Sequence, residues 1–244
     1  MGLLGADKDG AEQDTGEVGP AGGSLEPARG GRPDQGGLGS GAARMIESLL
    51  DVGIDGKGPF DSALAVADVA RAEKPDADSA VDALVRSHLR LAAAGGFVTS
   101  LGGFITMPVA LPANVLEFYL LATRMVASIA SVRGYDINQP EIRSAILLTL
   151  IDAEADDLLR KAGVASTGRL SNLAAQRLPG PVLMVVNKAV AFRLLTTAGR
   201  QSFSRLGKGV PLVGGAIGAG LDVYLLRRIA NSARHEFPPR NRPA

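Results

Sequence analysis

The 244-residue chain has no cysteine and no tryptophan, and its only histidines are His88 and His235. Lack of cysteine removes disulfides, thiol nucleophiles and thiolate metal sites, and it agrees with a cytoplasmic setting. Two histidines argue against a histidine-rich metal centre. Aromatic residues make up 4% of the chain against 46% hydrophobic residues overall. A core must therefore be assembled from Ala, Val, Leu and Ile, whose small size lets helices approach closely. No stretch alternates apolar and polar residues as a half-buried strand does. The start, Met1-Gly2-Leu3-Leu4-Gly5-Ala6, lacks the basic and apolar regions of a signal peptide. Ala6 also stands where a myristoylation motif wants Ser or Thr.

Motifs for phosphate and acyl chemistry are missing too. Gly218-Ala219-Gly220 has no third glycine after it, and Leu206-Gly207-Lys208-Gly209 lacks the upstream glycine and the following Ser or Thr of a P-loop. No Gly-x-Ser-x-Gly elbow occurs. No catalytic residue, cofactor or metal is assigned. The carboxylates Asp152, Glu154, Asp156 and Asp157 read as a solvated face rather than a cation site, because Asp156 with Arg160 and Asp157 with Lys161 are i, i+4 pairs.

The charge that is present is unevenly spread. Residues 1–41 carry 3 basic and 7 acidic groups, residues 42–159 carry 9 and 16, and residues 160–244 carry 14 and 2. The first 41 residues also hold 13 Gly and 3 Pro, too little apolar surface to offset the entropy of ordering them. This segment is expected to be a disordered acidic tail, followed by a helical domain over 42–236 and a flexible end at 237–244.

From Leu91 to Leu116 run 26 residues without a formal charge, broken by Gly95-Gly96, Gly102-Gly103, Pro108 and Pro112. Such a run is either the centre of a packed core or an element in contact with lipid. The periodicity predicts an all-α bundle of about eight or nine closely packed, Gly-rich helices. Their expected spans are 42–51, 60–73, 77–94, 96–106, 112–133, 139–162, 168–177, 181–206 and 211–235. Pro108 and Pro112 predict a tight bend at 107–111. Arg133-Gly134 should close one helix, and Asn138 to Glu141 should cap the next.

Along 112–133, Asn114, Glu117, Leu121, Arg124, Ser128 and Ser131 recur at three- and four-residue steps, so their polar members share a face directed at the bundle interior or water. In the last helix Gly214 with Gly218, and Gly215 with Ala219, form faces that let backbones touch. Asp222 continues the second face, and Arg124, with Arg133 next, is the expected partner. Asn114, Glu117, Arg124 and Asp222 are thus a candidate buried polar cluster. Tyr135 and Asp136 are a candidate loop site, against the simpler reading that Tyr135 packs on the bundle and Asp136 or Asn138 caps a helix.

Four pieces in order resemble the bacterial EcsC family over about residues 77–236: the run 95–108, Leu111-Pro112-Ala113-Asn114, Arg133-Gly134-Tyr135-Asp136, and 210–218 with Asp222. Where this chain has Asn114, that family more often has Asp. The resemblance implies a helical, membrane-associated or membrane-proximal protein and no known active site.

In the basic third, Arg193, Arg200, Arg205, Lys208, Arg227 and Arg228 alternate with apolar residues, a pattern suited to an anionic headgroup layer. Nucleic acid is the weaker partner, because stacking aromatics are scarce and no recognition motif is present. The favoured expectation is a non-enzymatic protein on the cytoplasmic side of the membrane. A soluble scaffold or homo-oligomer recruiting an acidic protein is the alternative. An enzyme using Glu117 or Asp222 as acid or base is the third reading.

Overall fold

Lys74, held extended before Pro75, breaks one helix, and Asp76 starts the next. Its carboxylate accepts from the Ser79 backbone N–H at 2.8 Å and from the Ser79 hydroxyl at 2.7 Å, a side-chain N-cap that holds the Asp76 pKa below the usual carboxylate range. Local signals of this kind set the ends of the helices. The computed structural model describes residues 35–58, 60–101, 107–151, 154–165, 168–205 and 211–240, with side chains described except at 35–40, 42, 95–101, 107–114, 197–205 and 211–219.

The described helices are α1 (Gln35–Ser48), α2 (Ala63–Glu73), α3 (Ala77–Leu101), α4 (Met107–Val132), α5 (Pro140–Thr149), α6 (Ala155–Lys161), α7 (Leu173–Gln176), α8 (Gly180–Arg205) and α9 (Pro211–Glu236). A π-helical turn, Leu49–Ile54, follows α1, and a 3₁₀ turn, Leu170–Asn172, precedes α7. No strand occurs among the described residues, so the all-α expectation holds.

Two helices form the axis. Every residue from Met125 to Arg133 on and just after α4 is buried, as is every residue from Ser144 to Leu150 on and just after α5. Three long helices, α3, α4 and α9, share a direction rule. Asp78 near the start of α3 meets Arg133 just past the end of α4, and Asp82 meets Arg234 near the end of α9 at 2.5 Å. Helix α3 therefore runs antiparallel to both α4 and α9. The short α2 lies on α3 and α4, while α8 packs on α1, α5 and α6. Between the π turn and α2, Gly56 has φ +72°, and a Cβ there would stand 2.4 Å from the Ser62 nitrogen, so this turn accepts glycine alone.

Several expected boundaries move. Helix α1 begins at Gln35, inside the segment read as tail, and the burial of Met45 and Leu49 explains it better than the propensity of its glycines. Helix α3 continues through Gly95-Gly96 to Leu101 rather than ending at 94, so no separate helix starts at 96. The bend at 107–111 is absent: α4 starts at Met107, Pro108 falls in its first turn, where N–H groups have no intrahelical partner, and Pro112 forgoes one bond. The helix expected over 139–162 is two, because Leu150 and Ile151 turn tightly onto the Leu147 and Leu148 carbonyls. Residues 1–34, 102–106 and 241–244 lie outside the described residues.

Candidate functional site

Arg133 ties three helix ends together. One terminal nitrogen donates to the carbonyls of Arg234 at 3.0 Å and Phe237 at 3.1 Å, and the other donates to the Asp78 carboxylate at 2.8 Å. Gly134 turns the chain at φ +91°. Tyr135 then packs edge-on against Phe237, with ring centroids 5.3 Å apart, and Arg240 stacks on the tyrosine ring at 4.4 Å. The Arg240 N–H also donates to the Arg133 carbonyl at 2.9 Å. Residues 237–240, expected to be a flexible end, are thus part of the clasp. Asp136 accepts from the Asn138 N–H at 3.0 Å, and Gln139 rather than Asn138 stands at the N-cap of α5. Tyr135 thus packs on the bundle, as the simpler reading had it, whereas neither Asp136 nor Asn138 stands at the N-cap of α5.

The polar face of α4 is split by height. Ser128 donates to the Ala63 carbonyl at 3.0 Å, and Arg71 donates to the backbone carbonyl of Ser131, so the lower part of the stripe faces α2. Arg124 is half-buried over the Phe60 ring, 5.5 Å from its centroid. Burial lowers its pKa, and the nearby Asp61 opposes that shift. Glu117 is exposed, which overturns its assignment to a buried cluster. Asp222 is partly buried on α9, and Asn114 lies outside the residues with described side chains. The four residues do not form one described cluster.

His88, which no sequence motif singles out, is the buried polar group beside Arg124. Its Nδ1 lies 2.9 Å from the Leu84 carbonyl. A carbonyl only accepts, so Nδ1 carries the proton and Nε2 is an acceptor without a partner among the described residues. Burial pushes its pKa down to about 4, and the Arg124 charge adds to that fall. An imidazole held neutral stabilises the fold fully above the unfolded pKa of about 6.5, and this contribution is lost as the pH falls towards the folded value. The expected loss is about 2 kcal/mol by about pH 5, and His88→Leu should flatten it. Urea denaturation at about pH 7 and pH 5 checks this, and equal slopes in both proteins would refute it.

The remaining feature is an end without charge. The registers of Asp78 with Arg133 and Asp82 with Arg234 carry the tail of α3, the head of α4 and the head of α9 to the same end of the bundle. On these helices residues 91–101, 107–116 and 211–221 contain no Asp, Glu, Lys or Arg. At 1.5 Å per residue each charge-free stretch is about 15 Å long. A family model, the EcsC protein family, matches residues 62–241. The chain belongs to the EcsC protein family. The EcsC match starts at the Ser62 hydroxyl that caps α2 and runs just past the Arg240 stack, so it takes in the clasp and all three charge-free helix ends. It reaches further in both directions than the four sequence pieces that resemble the family. No curated protein and no solved structure matches the chain.

Within this EcsC domain the basic residues fall into different settings. Arg193 forms an ion pair with Glu154 across α8 and the start of α6, so it is not an unencumbered lipid ligand. Arg227 and Arg228 are exposed on α9, whereas Arg200, Arg205 and Lys208 lie outside the residues with described side chains. Of the acidic group, Asp157 pairs with Lys161 at 2.7 Å, and Asp152 lies outside the described residues. No three His, Cys, Asp or Glu side chains converge as a metal site among the described residues.

Proposed function

We propose that this EcsC protein is a non-enzymatic, membrane-associated helical protein that seats the charge-free end of α3, α4 and α9 in one leaflet, on the cytoplasmic side. The observation that carries this reading is length. About 15 Å of helix without charge matches one half of a hydrocarbon core about 30 Å thick, not a full crossing. Val115–Val132 is the one described stretch apolar enough to span a bilayer, and 56% of it is buried inside the protein. That stretch serves as the core helix. The basic final third, with 14 cations against 2 carboxylates, favours an anionic surface.

A tryptophan reporter tests the idea, because the chain has none of its own. Phe104 stands between the end of α3 and the start of α4. In Phe104→Trp the emission should shift to the blue on mixing with vesicles and be quenched by lipids brominated near the chain ends. Unchanged emission in bound protein would defeat insertion. A second reading, a scaffold that recruits another protein, is favoured by the exposed Met184, Val185 and Phe192 on α8, with Met184 at 71% exposure. It predicts partner capture by α8 without any vesicle dependence.

A further inference from the structure

Helices α3 and α9 pack along their length, and the Asp82–Arg234 ion pair fixes their antiparallel register. Counting from that pair, Arg90 on α3 comes level with Arg227 on α9, and Arg86 lies one turn below Arg90. Arg86, Arg90 and Arg227 are exposed and carry no ion pair among the described residues. Tyr224 is 62% exposed and sits one turn from Arg227 towards the charge-free end. Arg90 directly precedes Leu91, where the charge-free stretch of α3 begins. Arg227 stands six residues, about 9 Å, below Leu221, the last residue of the charge-free stretch on α9.

The acidic residues on α3 and α9 do not pair with these three cations. Asp78 is bound to Arg133, Asp82 is bound to Arg234, and Asp222 lies five residues from Arg227, about 140° around the helix. An exposed tyrosine at the same level as unpaired guanidiniums is the composition of a membrane–water interface. Guanidinium groups offer paired N–H donors that match phosphate oxygens. We infer that Arg86, Arg90 and Arg227 form a site for the phosphate of an anionic phospholipid, at the foot of the charge-free end and with Tyr224 at headgroup level. Two of these arginines come from the acidic part of the sequence, and only the fold joins them to the basic third. The inference rests on the proposed insertion of the charge-free end.

The test uses the full chain carrying Phe104→Trp, floated with vesicles of phosphatidylcholine alone or mixed with phosphatidylglycerol. Changing Arg86, Arg90 and Arg227 together to Gln should weaken binding to the mixed vesicles about 100-fold and leave binding to phosphatidylcholine unchanged. A control in which Arg169, Arg177 and Lys188 become Gln loses the same charge from positions away from the site and should lose less than about 5-fold. Equal losses in the two triple variants would reduce the site to net charge and overturn it, as would parental binding by the first. Binding that depends on the three arginines but leaves the emission of the tryptophan reporter unshifted would keep the phosphate site and sink the insertion. Inorganic phosphate titrated without vesicles is the arm for a soluble ligand. Saturable heat lost in the triple variant would overturn the lipid assignment.

Discussion

Arg133→Ala is expected to lower stability by about 3 kcal/mol, which for a domain of this size moves the melting midpoint down by about 10 °C. The side chain is 9% exposed, and removing it strips two carbonyl acceptors at the end of α9 of their donor. The last carbonyls of a helix have no intrahelical partner, so an arginine there satisfies them and sets positive charge against the negative end of the helix. Asp78 suffers less from the change, because at 73% exposure water can take over its solvation. The two carbonyls therefore dominate the cost. Arg133→Lys keeps the charge but cannot reach three acceptors on two helices, so it should recover less than half of the loss. Thermal denaturation followed by circular dichroism reads both variants. A midpoint within about 2 °C of the parent for Arg133→Ala would show that the clasp does not hold the three helices together.

Much of this architecture is legible where local chemistry decides it. Arg133-Gly134 marks the end of α4 because only a residue tolerant of positive φ lets the chain leave that helix directly, and Gly163 at φ +74° does the same after α6. The charge-free ends are likewise visible by inspection. What sequence does not reveal depends on contacts between distant segments. Nothing local distinguishes Phe237 to Arg240 from a loose end, since their partners, Arg133 and Tyr135, lie about a hundred residues away. No Gly or Pro announces the break at Leu150–Ile151, and tertiary packing overrides an unbroken helical pattern there.

The candidate residues divide along the same line. Helical spacing puts Ser128 and Ser131 on one face of α4, and that face meets α2. Spacing alone does not say how far along the helix the protein interior extends, so it groups Glu117 with residues more buried than itself. His88 carries no signal in sequence because one histidine in an amphipathic helix is usually satisfied packing, and its Nε2 is left without a partner only once the fold buries it. The ion pair of Arg193 is likewise invisible in the spacing of the basic residues, because its carboxylate, Glu154, comes from another part of the bundle.

The second large effect belongs to the charge-free end and separates the two functional readings. Phe104→Asp with Ile105→Asp introduces two carboxylates into the sequence that joins the charge-free stretches of α3 and α4. An acidic side chain near the bilayer centre costs about 3 kcal/mol, so even allowing for local adaptation the double variant should bind vesicles at least about 100-fold more weakly. Without vesicles the same variant should melt where the parent does, because in the membrane reading these residues contact lipid rather than a protein core. A soluble scaffold predicts the reverse. If the run from Leu91 to Leu116 is buried within the protein, two carboxylates in it lose their hydration without gaining partners, and the isolated chain is destabilised by several kcal/mol. Flotation and thermal denaturation of this one variant therefore yield opposite patterns. Lost binding with an intact melt supports insertion, and a collapsed melt in the absence of lipid assigns the charge-free end to the interior of a soluble bundle.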